Sequence, residues 1–261
     1  MKHLLIPLFL GACAPNGARR DVDPTPSWAT PDGRNQAKIE LVEALVVNGT
    51  PEAALQMISQ MVEQGVRHPD LLVLQGRALT DMGLVEEAEA ALSRATRRAP
   101  GNAEAQNRLG ILYLDQKRTD EAISRFRAAA RTAPKDADVH NNYGFALMAA
   151  GRHNDAVPVL KTALMLDGSQ AKTRNNLGFA LAATGQDKAA WRVLRAGTND
   201  GMARYNLALA QELRGDIAEA MASYELALQA APDMVQASQA LARLSNSSQT
   251  AVSSSKEENQ P

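Results

Sequence analysis

Two stretches of the chain carry almost the same order of polar and apolar positions. One runs Asn-Asn-Tyr-Gly-Phe-Ala-Leu from Asn141 and the other Asn-Asn-Leu-Gly-Phe-Ala-Leu from Asn175, closing on Gly151 and Gly185. Their offset is 34 residues, and the same offset organises most of the sequence. Gly76, Gly110, Gly144 and Gly178 form one series at this spacing, and Ala54, Ala88, Ala122, Ala156 and Ala190 form another. Pro100 and Pro134 hold a third fixed place, with Gly168 where the next would fall and Pro232 further on. Between these marks lie Gly49, Gly83, Gly151, Gly185 and Gly215, at points where a helix must turn and a left-handed residue is cheapest as glycine. At Pro100, Pro134 and Pro232 proline closes the second helix, because it cannot continue the backbone hydrogen bonding.

Composition agrees with helices. Hydrophobic residues make up 45% of the 261 residues but aromatics only 4%, so the core is built from Ala and Leu rather than from the residues strands favour. With 28 basic and 29 acidic residues the net charge is −1, which lacks the clustered basic excess of a nucleic-acid binder. Catalysis finds no support either. His3, His68, His140 and His153 are scattered without metal-ligand or triad spacing, and no phosphate-binding GxxxxGK[ST] loop occurs. The acidic run from Glu86 to Ala90 reads as a solvated helix face. The expectation is a protein that is not an enzyme, with no metal, no cofactor and no small-molecule substrate.

The periodic residues resemble the tetratricopeptide repeat (TPR), a helix–turn–helix unit of this length. The clearest copy has Leu109-Gly110, Tyr113, Ala122, Phe126 and Pro134 at the family's spacing. The resemblance implies an all-α, right-handed superhelical solenoid of about six units and a capping helix. Units are expected at 35–68, 69–102, 103–136, 137–170, 171–200 and 201–234, with the cap at 235–245. Gly or Ala stands where the two helices of a unit cross, since a larger side chain there would force them apart. The first unit has Val42 in place of that Gly, as suits the end of an array. The fifth is about one helical turn short, around Ala196 to Gly201, and Trp191 beside the shortened turn reads as packing filler. Residues 13–34, rich in Pro and charge, read as a disordered tether of roughly 25 Å coil dimension. Residues 246–261, polar and low in complexity, read as a disordered tail.

In the family the first helices of successive units line a concave groove. By that resemblance positions two, five, six, nine, twelve and thirteen of each unit face it, and positions five and six hold Asn107 and Arg108, Asn141 and Asn142, Asn175 and Asn176, Tyr205 and Asn206. Position nine places Phe145 and Phe179 beside them, with Met148 alongside. Asn carries donors and an acceptor and can hold a peptide amide whatever its side chains are, so these ten residues are candidates for binding a protein or peptide partner. A second reading stands: Asn bonds its own neighbours and Phe packs between first helices. The chaperone-type carboxylate clamp matches poorly, because it needs Asn at position nine, where this chain has Ile111 and Phe145.

The start of the chain has its own pattern. Lys2 is followed by an apolar run from Leu4 to Leu10 and by Gly11-Ala12-Cys13, the plan of an export signal at 1–12 and too short to span a membrane. Leu10 to Cys13 resembles the bacterial lipobox, which implies a covalent lipid on Cys13; Ala14 after it favours the outer membrane. The alternative is a cytosolic protein with a stray thiol. Cys13 is the sole cysteine, so no internal disulfide forms. Signal, tether and array together resemble the TPR lipoprotein of the Tad/Flp pilus apparatus and, as a second family, the pilotins of type IV pilus secretins. The resemblance rests on Ala103 to Gly215, with the Asn-Asn stretches and the short fifth unit. It implies a lipid-anchored outer-membrane scaffold on the periplasmic face, holding a secretin or pilus component. A general periplasmic adaptor for another envelope complex is the alternative.

Overall fold

The computed structural model describes residues 31–257, and these are α-helical throughout apart from turns. The signal segment, Cys13 and the tether as far as residue 30 lie outside the described residues. The chain divides into two compact units, residues 1–41 and 42–261. The described part of the first is the start of helix α1 (Pro31–Val47).

The second unit is a run of helical hairpins. After α2 (Pro51–Glu63) come α3 (Pro69–Asp81) and α4 (Val85–Arg98), α5 (Ala103–Asp115) and α6 (Thr119–Thr132), and α7 (Ala137–Ala149) and α8 (His153–Leu166). Then follow α9 (Ala171–Ala183) and α10 (Asp187–Arg195), α11 (Asp200–Arg214) and α12 (Ile217–Ala230), and finally α13 (Val235–Glu257). Each helix packs on the next, and the first helices also touch one another along α3, α5, α7, α9 and α11. This is the TPR-type solenoid.

Local chemistry explains the hairpins. A Cβ on Gly110 would come 2.8 Å from the Phe126 ring, and one on Gly76 would come 2.5 Å from Leu92; Gly144 meets Leu160 and Gly178 meets Leu194 in the same way. The crossing therefore admits no side chain, and the buried Leu or Phe of the second helix takes the space. Helices α5, α7 and α11 start on side-chain caps: Asn102 Oδ1 accepts from the Ala105 N–H (2.8 Å), Asp136 Oδ1 from Val139 (3.1 Å) and Asn199 Oδ1 from Met202 (2.9 Å). The turn inside each hairpin needs a left-handed residue, supplied by Gly83, Gly151, Gly185 and Gly215. In the third hairpin Lys117 takes that place at φ 61°. Its neighbour Arg118 holds the turn from outside, reaching Glu89 at 2.7 Å and Glu121 at 2.6 Å while its guanidinium lies 4.1 Å over the Tyr113 ring.

Two ends differ from the sequence reading. Helix α1 begins at Pro31, inside the stretch read as tether, since proline is at home in the first turn of a helix and Asp32 suits its positive end. The cap does not stop at 245: α13 continues to Glu257 through the segment read as a disordered tail. No Gly or Pro interrupts the chain from Val235 to Gln260, so nothing in the backbone stops the helix.

The departure that matters for the site is α10. It starts 34 residues after α8, yet it spans 9 residues where α8 spans 14. Leu194 still packs on Gly178, so the loss is at the C-terminal end. As a result α11 approaches α9 more extensively than other first helices approach each other. Trp191 is partly buried against the core, and the Arg204 guanidinium of α11 covers its ring at 3.9 Å, which joins the two units across the shortened turn.

Candidate functional site

The doubled asparagines do most of their work between units. Asn142 Nδ2 donates to Asn107 Oδ1 at 3.2 Å, and Asn176 Nδ2 donates to Asn141 Oδ1 at 3.0 Å. Each bond runs from position six of one first helix to position five of the preceding one, 35 residues back. Thr173 Oγ1, fully buried, adds a second donor to Asn141 at 3.2 Å. Asn107 and Asn141 are themselves buried. A groove partner cannot reach them, and the expectation that they bind one is corrected: they are rungs of a ladder that sets neighbouring first helices in register.

The ladder stops at the short unit. Asn175 has the same place on α9 as Asn107 on α5 and Asn141 on α7, but its Oδ1 is buried without any hydrogen-bond partner. The residue that would serve it, Asn206 on α11, comes only 31 residues later because of the turn missing from α10. A cavity of about 640 Å³ opens here, lined by Phe145, Met148, His153, Asn175, Asn176, Phe179, Asn206 and Leu213 among others. Its lining includes no Asp, Glu, Lys or Arg. Phe145 is 46% exposed and Leu213 64%, so the cavity presents apolar surface to solvent. Phe179 is partly buried, and the His153 ring stands edge-on to it at 6.2 Å between centroids. The Nδ1 atom of His153 is also buried and unpartnered.

Of the ten groove candidates, Phe145, Asn175, Asn176, Phe179 and Asn206 are thus brought together. Asn142 is held in its rung. Arg108 is occupied on its own helix by Glu104, at 2.6 Å. Tyr205, half-buried, packs on Tyr224, ring centroids 5.7 Å apart, against the C-terminal core cluster. Sequence reading missed Leu213 and His153. Leu213 is at position thirteen of the sixth unit and the family's groove pattern could have found it; the first residue of a second helix gives no such signal for His153.

Beside the cavity, a polar cluster ties the short unit to the sixth. Arg214 bonds both carboxylate oxygens of Asp187, at 2.9 and 3.1 Å, and also the Ala182 carbonyl and Asp216. Gln211 donates to Asp187 at 2.8 Å and accepts from Ser223 at 2.7 Å. The Arg214 guanidinium, and after it Gln211, holds the Asp187 carboxyl below the usual carboxylate range, and Asp187 raises Arg214 in return. Burial, with help from Glu212, pushes the Tyr224 phenol up. Among the described residues, no group of three or more His, Cys, Asp or Glu is placed to hold a metal, and no helix is long and apolar enough to cross a membrane.

Comparison with solved structures finds the same fold at low identity. The crystal structure of YrrB, "a TPR protein with an unusual peptide-binding site", aligns with 70% of this chain and 96% of its own, at 21% identity and a TM-score of 0.59. MamA from Desulfovibrio magneticus RS-1, residues 41 to the end, aligns with 61% of this chain and 90% of its own, at 22% identity and a TM-score of 0.54. No curated protein matches the sequence. The sequence itself matches the tetratricopeptide repeat family over residues 73–137, 107–172 and 187–235, more than half of its length, and with the hairpins, crossing glycines and turns described above the chain belongs to that family.

Proposed function

We propose that the groove face of this array binds a segment of a partner protein, and that the chain is a scaffold and not an enzyme. The observation that carries this is the cavity between α7, α9 and α11. It is open, free of charge in its lining, and set with both apolar side chains and the amides of Asn176 and Asn206. Such a combination suits a polypeptide, which brings both apolar side chains and main-chain donors. The peptide-binding site named for YrrB, a protein of the same fold, supports the reading.

The finer proposal is an envelope role. A lipid on Cys13 would anchor the chain to the outer membrane on its periplasmic face, with residues 14–30 as tether, as in the Tad/Flp and pilotin lipoproteins that the sequence resembles. The partner would then be a secretin or pilus-assembly component. Confinement at a membrane raises effective concentration, so a modest groove affinity is enough for capture.

A photo-crosslinking residue in place of Phe145, used in the native cell, tests the groove. A specific adduct with a secretin or pilus component is expected. Absence of any adduct, with the protein folded and abundant, overturns the groove reading, and a different envelope protein overturns only the pilus assignment. Cys13→Ser tests the anchor separately: the protein is expected to leave the membrane fraction, and its retention there sinks the lipoprotein proposal.

A further inference from the structure

The unit that begins at Pro69 departs from the period in residues that all reach one cavity. Position seven of the first helix is apolar in the next three units, at Leu109, Tyr143 and Leu177, but is Gln75 here. On the second helix Arg94 stands where Ala128 and Thr162 follow at the 34-residue spacing, and Arg98 where Thr132 and Leu166 follow. The residue capping the first helix is Asn102 or Asp136 in the next two units and His68 in this one.

These four residues line a cavity of about 570 Å³ between α2, α3 and α4. From α3 it takes Leu71, Leu72, Gln75 and Leu79, at positions three, four, seven and eleven, none of which faces the groove. It shares no residue with the cavity at Phe145. Its floor is apolar, with Ile58, Leu71, Leu72 and Leu79 buried and Val62 exposed beside them. Arg67, Arg94 and Arg98 add three positive charges, and the lining holds no Asp or Glu. Arg67 is fixed, its Nη1 donating to the Val62 and Val66 carbonyls at 2.7 and 3.0 Å. Among the described residues, the exposed Arg94 and Arg98 form no ion pair, and the half-buried Gln75 amide makes no hydrogen bond. Two nearby acids are engaged elsewhere. Glu63 accepts from Ser59 at 3.4 Å, and Asp70 accepts from Asn102 at 3.4 Å while lying 3.6 Å from His68. The helix dipole favours Arg98 in the last turn of α4, but it asks for neither Arg94 a turn earlier nor an amide in place of Leu. Like charges four residues apart on a helix repel, and a carboxylate that pairs with both removes the cost.

We infer that this pocket is a peptide site outside the groove, for a segment in which an Asp or Glu lies among large apolar side chains. An apolar side chain seats on the floor, the carboxylate meets Arg94 and Arg98, and the Gln75 amide pairs with the main chain of the segment. An anionic lipid matches the floor and the charges, but its hydrocarbon leaves the amide unpaired, which favours a polypeptide. The inference stands apart from the groove reading, since the two sites have no residue in common.

The probe is a display library of random twelve-residue peptides, selected on the purified full chain. Selected peptides are remeasured by fluorescence anisotropy against wild type, Arg94→Glu, Gln75→Leu, Leu213→Asp and Arg192→Glu. Arg192 belongs to the equivalent pocket of about 380 Å³ between α8, α9 and α10, which has Leu177 in the place of Gln75 and so serves as an internal control. One class of peptides is expected to carry an Asp or Glu flanked by large apolar residues. Its affinity falls roughly tenfold or more with Arg94→Glu and several-fold with Gln75→Leu, and it weakens as salt rises. Leu213→Asp and Arg192→Glu leave it unchanged. Gln75→Leu puts back the residue type of the next unit and melts no lower than wild type, so its loss of binding is not a loss of fold. Acidic peptides that bind Arg94→Glu as tightly as wild type, or that are lost with Arg192→Glu instead, overturn the inference. If every enriched peptide is lost on Leu213→Asp alone, the inference falls and the groove reading stands. Phosphatidylglycerol vesicles are tested beside the peptides. Vesicle binding that needs Arg94, with no acidic peptide class, makes the occupant a lipid and overturns the peptide site.

Discussion

Asn142, Asn175 and Asn206 are one residue type in one repeated context, yet they meet different fates. Asn142 completes a rung, Asn175 lines a cavity while its Oδ1 is buried without a hydrogen-bond partner, and Asn206 lines the same cavity from the next unit. What decides is the spacing to the neighbouring first helix. Asn142→Ala removes the side chain that donates to Asn107 Oδ1 and, among the described residues, leaves that buried acceptor unpaired. That costs about 1–3 kcal/mol, against near zero for Asn175→Leu. For an array of this size each kcal/mol is worth about 2–4 °C, so circular-dichroism melting separates the two variants readily. Equal melting of Asn142→Ala and wild type would show that the rung contributes nothing. The sequence made these positions visible but not their roles. A repeat of polar residues looks the same whether its partner is the next unit or another chain, and only the distance across the units tells them apart.

Among the elements, α10 was legible as a defect before it was legible as a cause. The hairpins follow from the period, because each crossing glycine, cap and left-handed turn is a local demand that one residue meets. The missing turn was equally plain from the 30-residue interval between Ala171 and Gly201. Its consequence was not, since the approach of α11 to α9 depends on how Arg214, Gln211 and Asp187 close the gap. That closure is pH-sensitive in a definite direction. Asp187 is held below its ordinary value by Arg214, so its contribution is fully present above the unfolded carboxylate pKa, near 3.9, and is lost as pH falls through the lower folded value. Wild type is expected to melt above Asp187→Asn by about 2–4 °C at neutral pH, a pair of this exposure being worth about 1 kcal/mol. The gap should shrink as pH falls from 4 towards 2.5. A gap independent of pH would mean that Asp187 acts through packing, not charge. The ends of the array were misread for a related reason: Pro31 and the polar residues after Leu244 have the composition of coil, yet nothing in them forbids a helix.

At the scale of the molecule, the described core is built of separate clusters. The largest runs from Leu79 on α3 to Ala210 on α11, and a second gathers Ala208, Tyr224, Ala227, Ala237, Ala240 and Leu244 at the C-terminal end. They meet on α11, whose Ala208 belongs to one cluster and whose Ala210 belongs to the other. A solenoid of this kind is nearly one-dimensional, each unit stabilised by its neighbours alone, so damage at one end should stop where the core divides. A chain ending at Asp233 lacks α13, and with it Ala237, Ala240, Leu244 and the Arg243 partner of Glu212. Tyr224, wholly buried in the intact chain, then loses its cover. Hydrogen exchange is expected to show α12 and the C-terminal half of α11 losing protection while α3 to α8 keep theirs. A chain ending at Asn246 retains every one of those contacts and should melt with the full-length protein, although its helical signal is smaller. Collapse of the whole array on losing α13 would make the solenoid a single cooperative unit. Unchanged exchange in α12 would mean that α13 caps nothing, and the polar helix beyond Leu244 would then need another explanation.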